Sequence, residues 1–237
     1  KSIGTVIQDT DAQFVGQSVG EDIAFAMEND CVPTQEMRQR VNKVSKLVDM
    51  DDFLKNSPFE ISGGQKQRTS IAGVLVNDVD ILLFDEPLAN LDPKTGELAI
   101  EIIDDIHKNL KKTIVIIEHR IEDVLHRNVD RIVLVNDGKI LADLSPNEML
   151  KSDLLINNGI REPLYVTLLK YSGIDLTSLD LTSVDSLNFT KIKDKIKTWI
   201  QTVSIEEKTF SEEVLKIDNL SFSYDGSRKN IEDITFN

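Results

Sequence analysis

An α/β fold with a mostly parallel sheet is what this 237-residue sequence predicts, on three observations. The runs Ile81-Leu82-Leu83-Phe84 and Thr113 to Ile117 have the length and apolar continuity of strands buried in a parallel sheet. Between them, Asp92-Pro93 opens a helix, as a cap followed by proline at the first helical position. Leu98, Ile102, Ile106 and Leu110 recur on one face of that helix, which makes it a crossover between parallel strands, and a sheet covered on both faces is expected. Finally, both strands end in polar pairs, Asp85-Glu86 and Glu118-His119, where a parallel sheet presents its functional edge.

The remaining elements follow in chain order. Gly4 to Ile7 reads as a strand with Gln8 at its end, and Val19 to Asn29 as a helix. Thr34 to Val48 reads as a second helix behind a Thr34 cap, with Met37, Val41, Val44 and Val48 at helical spacing. A third runs from Gly64 to about Val76, with Ile71, Val74 and Leu75 inward. Arg131 to Val135 and Lys139 to Leu144 form a hairpin around Asp137-Gly138. Ser145-Pro146-Asn147-Glu148 is a capping box with proline at its first helical position. Three segments result: residues 1–150, a connector over 151–213, and an alternating, strand-like stretch over 214–237. The connector is expected to dock one amphipathic helix, with Ile192, Ile196, Trp199, Ile200 and Val203 on one face.

Composition limits the function classes. Forty-one acidic residues against 27 Lys and Arg give a net charge of −14, which disfavours nucleic acid as the main partner, because phosphate backbones are bound by cationic patches. Cys31 is the single cysteine, so neither an internal disulfide nor a cysteine zinc site can form, and a reducing compartment fits. No apolar run approaches the roughly twenty residues of a membrane-spanning helix.

The chemistry concentrates in Ile61-Ser62-Gly63-Gly64-Gln65-Lys66-Gln67-Arg68, a loop turning into a helix. Two glycines beside a hydroxyl let backbone amides approach a phosphate, and the helix behind them turns its positive end toward it. The plain alternative is that Ser62 and Gln65 form a capping box, worth about 1 kcal/mol to the helix. At the end of the next strand, one carboxylate of Asp85-Glu86 can hold Mg²⁺ and the other can polarise a water, although acidic turns after strands are common.

In this order and spacing, the Ser62-Gly63-Gly64-Gln65 signature, the apolar strand ending in Asp85-Glu86 and the loop at Asp92 resemble the ATP-binding cassette (ABC) family. The Ile7-Gln8-Asp9-Thr10-Asp11-Ala12-Gln13-Phe14 segment is similar to that of energy-coupling factor ATPases, importers of cobalt and vitamins, where a second glutamine resembles Gln13. The resemblance implies a P-loop NTPase-like domain with a helical signature subdomain, followed by a connector and the start of a second cassette. It implies ATP and Mg²⁺ as ligands, with Glu86, His119 and Gln8 catalytic and Asp85 and Gln8 on the metal. Ser62, Gly63, Gly64, Gln65, Asp92 and Tyr224 would contact ATP, with Tyr224 stacked on adenine.

The phosphate-cradling sequence G-x-x-x-x-G-K-[ST] does not occur in these residues. In the family it lies upstream of the strand that ends at Gln8, so the resemblance implies a piece of a tandem protein cut between two such loops, inactive alone. Each ATP would then sit between the acidic edge of one cassette and the signature of the other. The implied partners are the tandem cassette, a transmembrane energy-coupling subunit and a substrate-binding membrane subunit, which place the protein peripherally at the cytoplasmic face of the membrane. A soluble tandem-cassette translation factor and a degenerate regulatory cassette are the alternatives; the connector lacks the basic excess of the first, and Glu86 and His119 argue against the second.

Overall fold

The computed structural model describes residues 2–9, 13–204, 215–224, 226 and 229–236. Thr10, Asp11 and Ala12 after Gln8, and Val214 at the expected start of the last segment, lie outside the described residues. The chain divides into two compact units, Lys1–Lys197 and Thr198–Asn237.

In the first unit, β1 (Ile3–Val6), β2 (Ile81–Asp85) and β3 (Thr113–Ile117) form a parallel sheet in the order β1-β2-β3. Three helices, α1 (Val19–Asn29), α2 (Thr34–Leu47) and α3 (Gly63–Leu75), lie between β1 and β2, and α4 (Pro93–Leu110) lies between β2 and β3. Ser18 and Glu21 start α1 with a reciprocal capping box. The cap of α2 is Pro33 and not Thr34, which stands inside the helix and whose place at its start is therefore a backbone one.

One face of the sheet is buried. Val6, Leu82 and Phe84 join Ile23, Ile71, Ile100 and Ile103 of the helices in one core. On the other face Thr5, Val115 and Ile117 are exposed and Leu83 is half-buried, so among the described residues no second layer covers it, which corrects the expectation of a sheet covered on both sides. The reason is topological: right-handed crossovers advancing in one direction along a sheet all return on the same face, and a second layer requires a reversal of strand order that these three strands do not contain.

The inward face of α4 holds Ile106, with Ile102 and Leu110 packed against the core, as expected, and is wider than the periodicity indicates. Gly96, Ala99, Ile100, Ile103 and Ile106 are buried and Leu98 is exposed. Ile100 and Ile103 widen the stripe, and the small residues Gly96 and Ala99 let the helix lie close to its neighbours, which leaves Leu98 outside it.

After α5 (Ile121–Val124), β4 (Ile132–Asn136) and β5 (Lys139–Leu144) form the expected antiparallel hairpin. Asp137 and Gly138 both have positive φ, at 47° and 71°, as a turn matched to the strand twist requires. Ser145 and Glu148 cap α6 (Pro146–Lys151) reciprocally.

The connector is more than a docked helix. Beyond α7 (Leu154–Asn157), the helix α8 (Leu164–Tyr171) contributes Val166 and Leu169 to a second core with Leu134, Met149, Leu150, Leu155 and Leu181. Of α9 (Phe189–Thr202), Ile192 is buried there and Ile196 packs against it, while Ile200 and, past the end of the helix, Val203 are exposed. Within this second core Lys170 Nζ donates to Glu162 Oε1 at 2.6 Å, to Asp153 Oδ1 at 3.0 Å and to the Ser152 carbonyl at 2.5 Å.

In the second unit, β6 (Ile217–Phe222) and β7 (Ile231–Phe236) pair antiparallel. The expected half-burial is absent: every described residue of both strands is exposed except the half-buried Ile217. A two-stranded ribbon offers no second layer to bury a face against.

The Glu162 side chain is only 1% exposed, so Lys170 is its main compensation. Replacing Lys170→Met is expected to cost about 3–5 kcal/mol, the range for removing one partner of a buried ion pair, and Glu162→Gln less, since Lys170 keeps Asp153 and Ser152. Denaturant midpoints of the two variants check the order.

Candidate functional site

Three adjacent parallel strands end at one edge, and each delivers a residue that the sequence singled out. Gln8 lies two residues past β1, Glu86 one past β2 and His119 two past β3. Gln8 Nε2 donates to Glu86 Oε2 at 2.8 Å, and His119 Nδ1 stands 4.0 Å from Glu86 Oε1. One carboxylate oxygen is thus fixed by an amide, and the other faces an imidazole at a distance too long for a direct hydrogen bond. Asp85 closes β2 opposite Ile117, half-buried, at the same edge. Hard oxygen donors of this kind suit Mg²⁺, which binds through one or two carboxylates and retains waters.

Glu86 has φ of 45°, in the left-handed region where a residue with a long side chain is uncommon. Its amide donates to the Ile117 carbonyl at 2.9 Å, which ties the strained corner to β3. Two neighbours to which the sequence assigned no role hold the rest of the edge. Glu118 accepts from the amides of His119 at 3.0 Å and Arg120 at 3.1 Å, shaping the turn that carries the imidazole. Arg120 Nη1 donates to the Leu88 carbonyl at 3.0 Å.

The signature shows both of its readings at once. Ser62 Oγ accepts from the Gln65 amide at 3.3 Å, and Gln65 Oε1 accepts from the Ser62 amide at 2.8 Å, so the capping box is formed. The amides of Gly63 and Gly64, in the first turn of α3, have no place in the helix's own ladder. The two glycines then differ. A Cβ on Gly64 would stand 2.3 Å from Thr95 Cγ2, so Gly64 permits α3 to meet the start of α4. A Cβ on Gly63 would meet nothing within 4 Å, so no internal packing explains its lack of a side chain.

Asp92 caps α4, accepting from the amides of Lys94 and Thr95 at 3.1 Å each. The Thr95 hydroxyl, and after it the Thr95 and Lys94 amides, hold the Asp92 carboxyl below the ordinary carboxylate range. The cap therefore stabilises fully above the unfolded carboxylate pKa and is lost as pH falls through the depressed folded one.

Gly63, Lys66 and Gln67 line a cleft of about 170 Å³ together with Gln8, Glu86 and Asn90. Pockets that enclose a whole small ligand run to roughly 300–1,000 Å³, so this cleft is an open shelf rather than an envelope for a nucleotide. Tyr224 belongs to the other unit, is 85% exposed, and meets Phe222 edge to face at 4.9 Å. A separate group, Glu97, Glu101 and His126, brings three potential metal-ligand atoms within 4.8 Å of one another, but Glu101 already pairs with Arg127, and the group reads as a surface charge network.

The chain is similar to known proteins over most of its length. A family profile described as "ABC transporter" matches residues 1–89, and one described as "ATP-binding cassette cobalt transporter" matches 152–222. A protein of Photobacterium profundum, provisionally named an ABC transporter ATP-binding protein, is 53% identical over 99% of this chain and 42% of its own length. A protein of the same provisional name from Clostridium perfringens (strain 13 / Type A) is 52% identical over 100% of this chain and 42% of its own. The chain thus spans about two fifths of these relatives. Among solved structures, cbiO1 from Clostridium perfringens, described as part of the ABC transporter complex cbiONQ, superposes with a TM-score of 0.61 at 31% identity, over 71% of this chain and 67% of its own. A dimeric post-hydrolysis state of the ATP-binding cassette MJ0796 with ADP and Pi superposes with a TM-score of 0.53 at 27% identity, over 61% and 63%.

The contrast between the two glycines is testable by melting. Gly64→Ala is expected to lose about 1–3 kcal/mol by overpacking against Thr95, whose hydroxyl is tied to Asp92 and cannot turn away freely. Gly63→Ala is expected to melt with the wild type, so that any loss of nucleotide-dependent activity in it is a loss of contact and not of fold.

Proposed function

This chain belongs to the ATP-binding family of ABC transporters, and on that premise we propose that it hydrolyses ATP at composite sites to power import of a vitamin or metal ion in an assembly of the energy-coupling factor type. The observation that carries the reading is the meeting of Gln8, Glu86 and His119 at one sheet edge. Glu86 is the general base: the Gln8 amide holds its Oε2, leaving Oε1 to take the proton of the attacking water on the side that His119 faces. His119 donates toward the γ-phosphate, where charge gathers in the transition state. Asp85 and Gln8 would hold Mg²⁺, which when bound neutralises charge on the phosphate oxygens.

The signature end of α3 serves a second nucleotide. Amides of Gly63 and Gly64, the Ser62 hydroxyl and the helix dipole suit phosphate oxygens, and the missing side chain at Gly63 admits them closely. Gln65 holds Ser62 in place, and Asp92 fixes the start of α4 beside Gly64. In this reading the open shape of the cleft reflects a site completed by another cassette, in tandem with this one, and Tyr224 is separately read as an adenine contact.

The similar protein cbiO1 is described as one part of an ABC transporter complex, and the second family description names cobalt transport. Both favour membrane partners, an energy-coupling subunit and a substrate-binding subunit, with this protein peripheral at the cytoplasmic face. Segments 1–150, 151–213 and 214–237 are read as the distal part of one cassette, its connector and the first strands of the next.

Phosphoryl transfer relies on positioned charge, so Glu86→Gln in the whole protein is expected to lower ATP turnover by about 10²- to 10⁴-fold while sparing ATP binding. Equal steady-state rates in the two proteins would remove Glu86 from its role. The isolated 237-residue chain is expected to bind ATP weakly, because most donors to the β- and γ-phosphates are not among its residues. Micromolar affinity with Mg²⁺-dependent turnover in a titration would overturn the composite arrangement.

A further inference from the structure

The ATPase mechanism makes no use of Gln67, yet its placement is costly. It lies on the inward face of α3, 3% exposed, and donates from Nε2 to the Pro87 carbonyl. Its Oε1 is buried with no hydrogen-bond partner among the described residues. The desolvation cost of the unpaired oxygen offsets much of what the bond to Pro87 contributes, so stability alone does not account for the residue.

What Gln67 reaches is informative. Pro87 follows Glu86, whose backbone is strained at φ of 45°, and the next carbonyl, that of Leu88, accepts from Arg120. Successive carbonyls after the general base are therefore held by side chains from two places, α3 on one side and the turn carrying His119 on the other. Gln67 also stands one helical turn from Gly63, and both line the cleft that Glu86 lines.

We propose that Gln67 is a positioning residue that links the phosphate-facing end of α3 to the aim of the Glu86 carboxylate. A helix moves as a rigid body, so a shift of its first turn on an anion carries Gln67 with it, and the bond to Pro87 passes that shift to the adjoining corner. The inference rests on the ATPase reading above; within it, Gly63 and Glu86 serve different nucleotides, and Gln67 becomes a mechanical link between two ATP sites.

The test uses the whole protein. Gln67→Leu is expected to lower kcat about 10- to 100-fold, as small misplacements of a catalytic group do, with KM for ATP changed by less than about threefold and a thermal midpoint lowered only by the few degrees or so that one orphaned carbonyl costs. A merely structural residue gives a lowered midpoint with kcat retained, and that result overturns the proposal. Gln67→Glu is nearly isosteric and can donate to Pro87 only when protonated, so its kcat relative to wild type is expected to rise as pH falls. If the Leu variant does not fold, this ratio decides, and a ratio flat in pH overturns the link. Failure of the reading beneath is separately visible: wild-type turnover in Glu86→Gln removes the ATPase assignment, whatever the Gln67 variants do.

Discussion

Parallel pairing of β1, β2 and β3 in a single direction of travel is the constraint from which the rest of the first unit follows. Because each strand points the same way, their three C-terminal ends share an edge, and residues 78 positions apart, Gln8 and Glu86, come within hydrogen-bond distance without any long loop reaching across. The helices α1 through α4 share one core with the buried face of the sheet, as crossovers of a single hand require, and α3 is brought with its first turn toward that same edge. The adjacency of the signature helix to the acidic edge is thus a product of strand order and handedness together.

The site is consequently held through its backbone amides, most of which donate to carboxylate side chains. Ile117 accepts the Glu86 amide, Glu118 accepts two amides of the following turn, and Asp92 accepts two at the start of α4. Each of these fixes a position at which a functional side chain begins, leaving the side chain itself able to respond to a ligand. The Gly64 contact with Thr95 extends this frame from α4 to α3, so the two helix starts that flank the cleft are braced on each other.

Much of this was legible in the sequence, and for identifiable reasons. Strands β2 and β3 announce themselves by continuous apolar runs, and Ser62-x-x-Gln65, Asp92-Pro93 and Asp137-Gly138 each encode a local hydrogen-bond geometry that needs no tertiary context. What was not legible depends on packing partners. The burial of Gly96 and Ala99 on α4 carries little hydrophobic signal, and the exposed sheet face depends on strand order, which periodicity does not report. The helix α8 was missed although Pro163 followed by Leu164, Tyr165 and Val166 marks a start, because the surrounding Ser, Thr and Asp residues mask it. Gln67 left a trace, a polar residue four before Ile71 on an otherwise inward stripe, but its partner Pro87 is visible only in the fold.

The left-handed backbone at Glu86 carries an implication for how this corner could change over generations. Asparagine, aspartate and glycine all tolerate that conformation better than glutamate does, so drift toward any of them would relax the chain locally. Each would also withdraw the carboxylate or shorten its reach. Selection on turnover and selection on foldedness pull this single position in opposite directions, and a copy of the protein released from the first pressure would be expected to lose its glutamate early and gain a more robust fold in return.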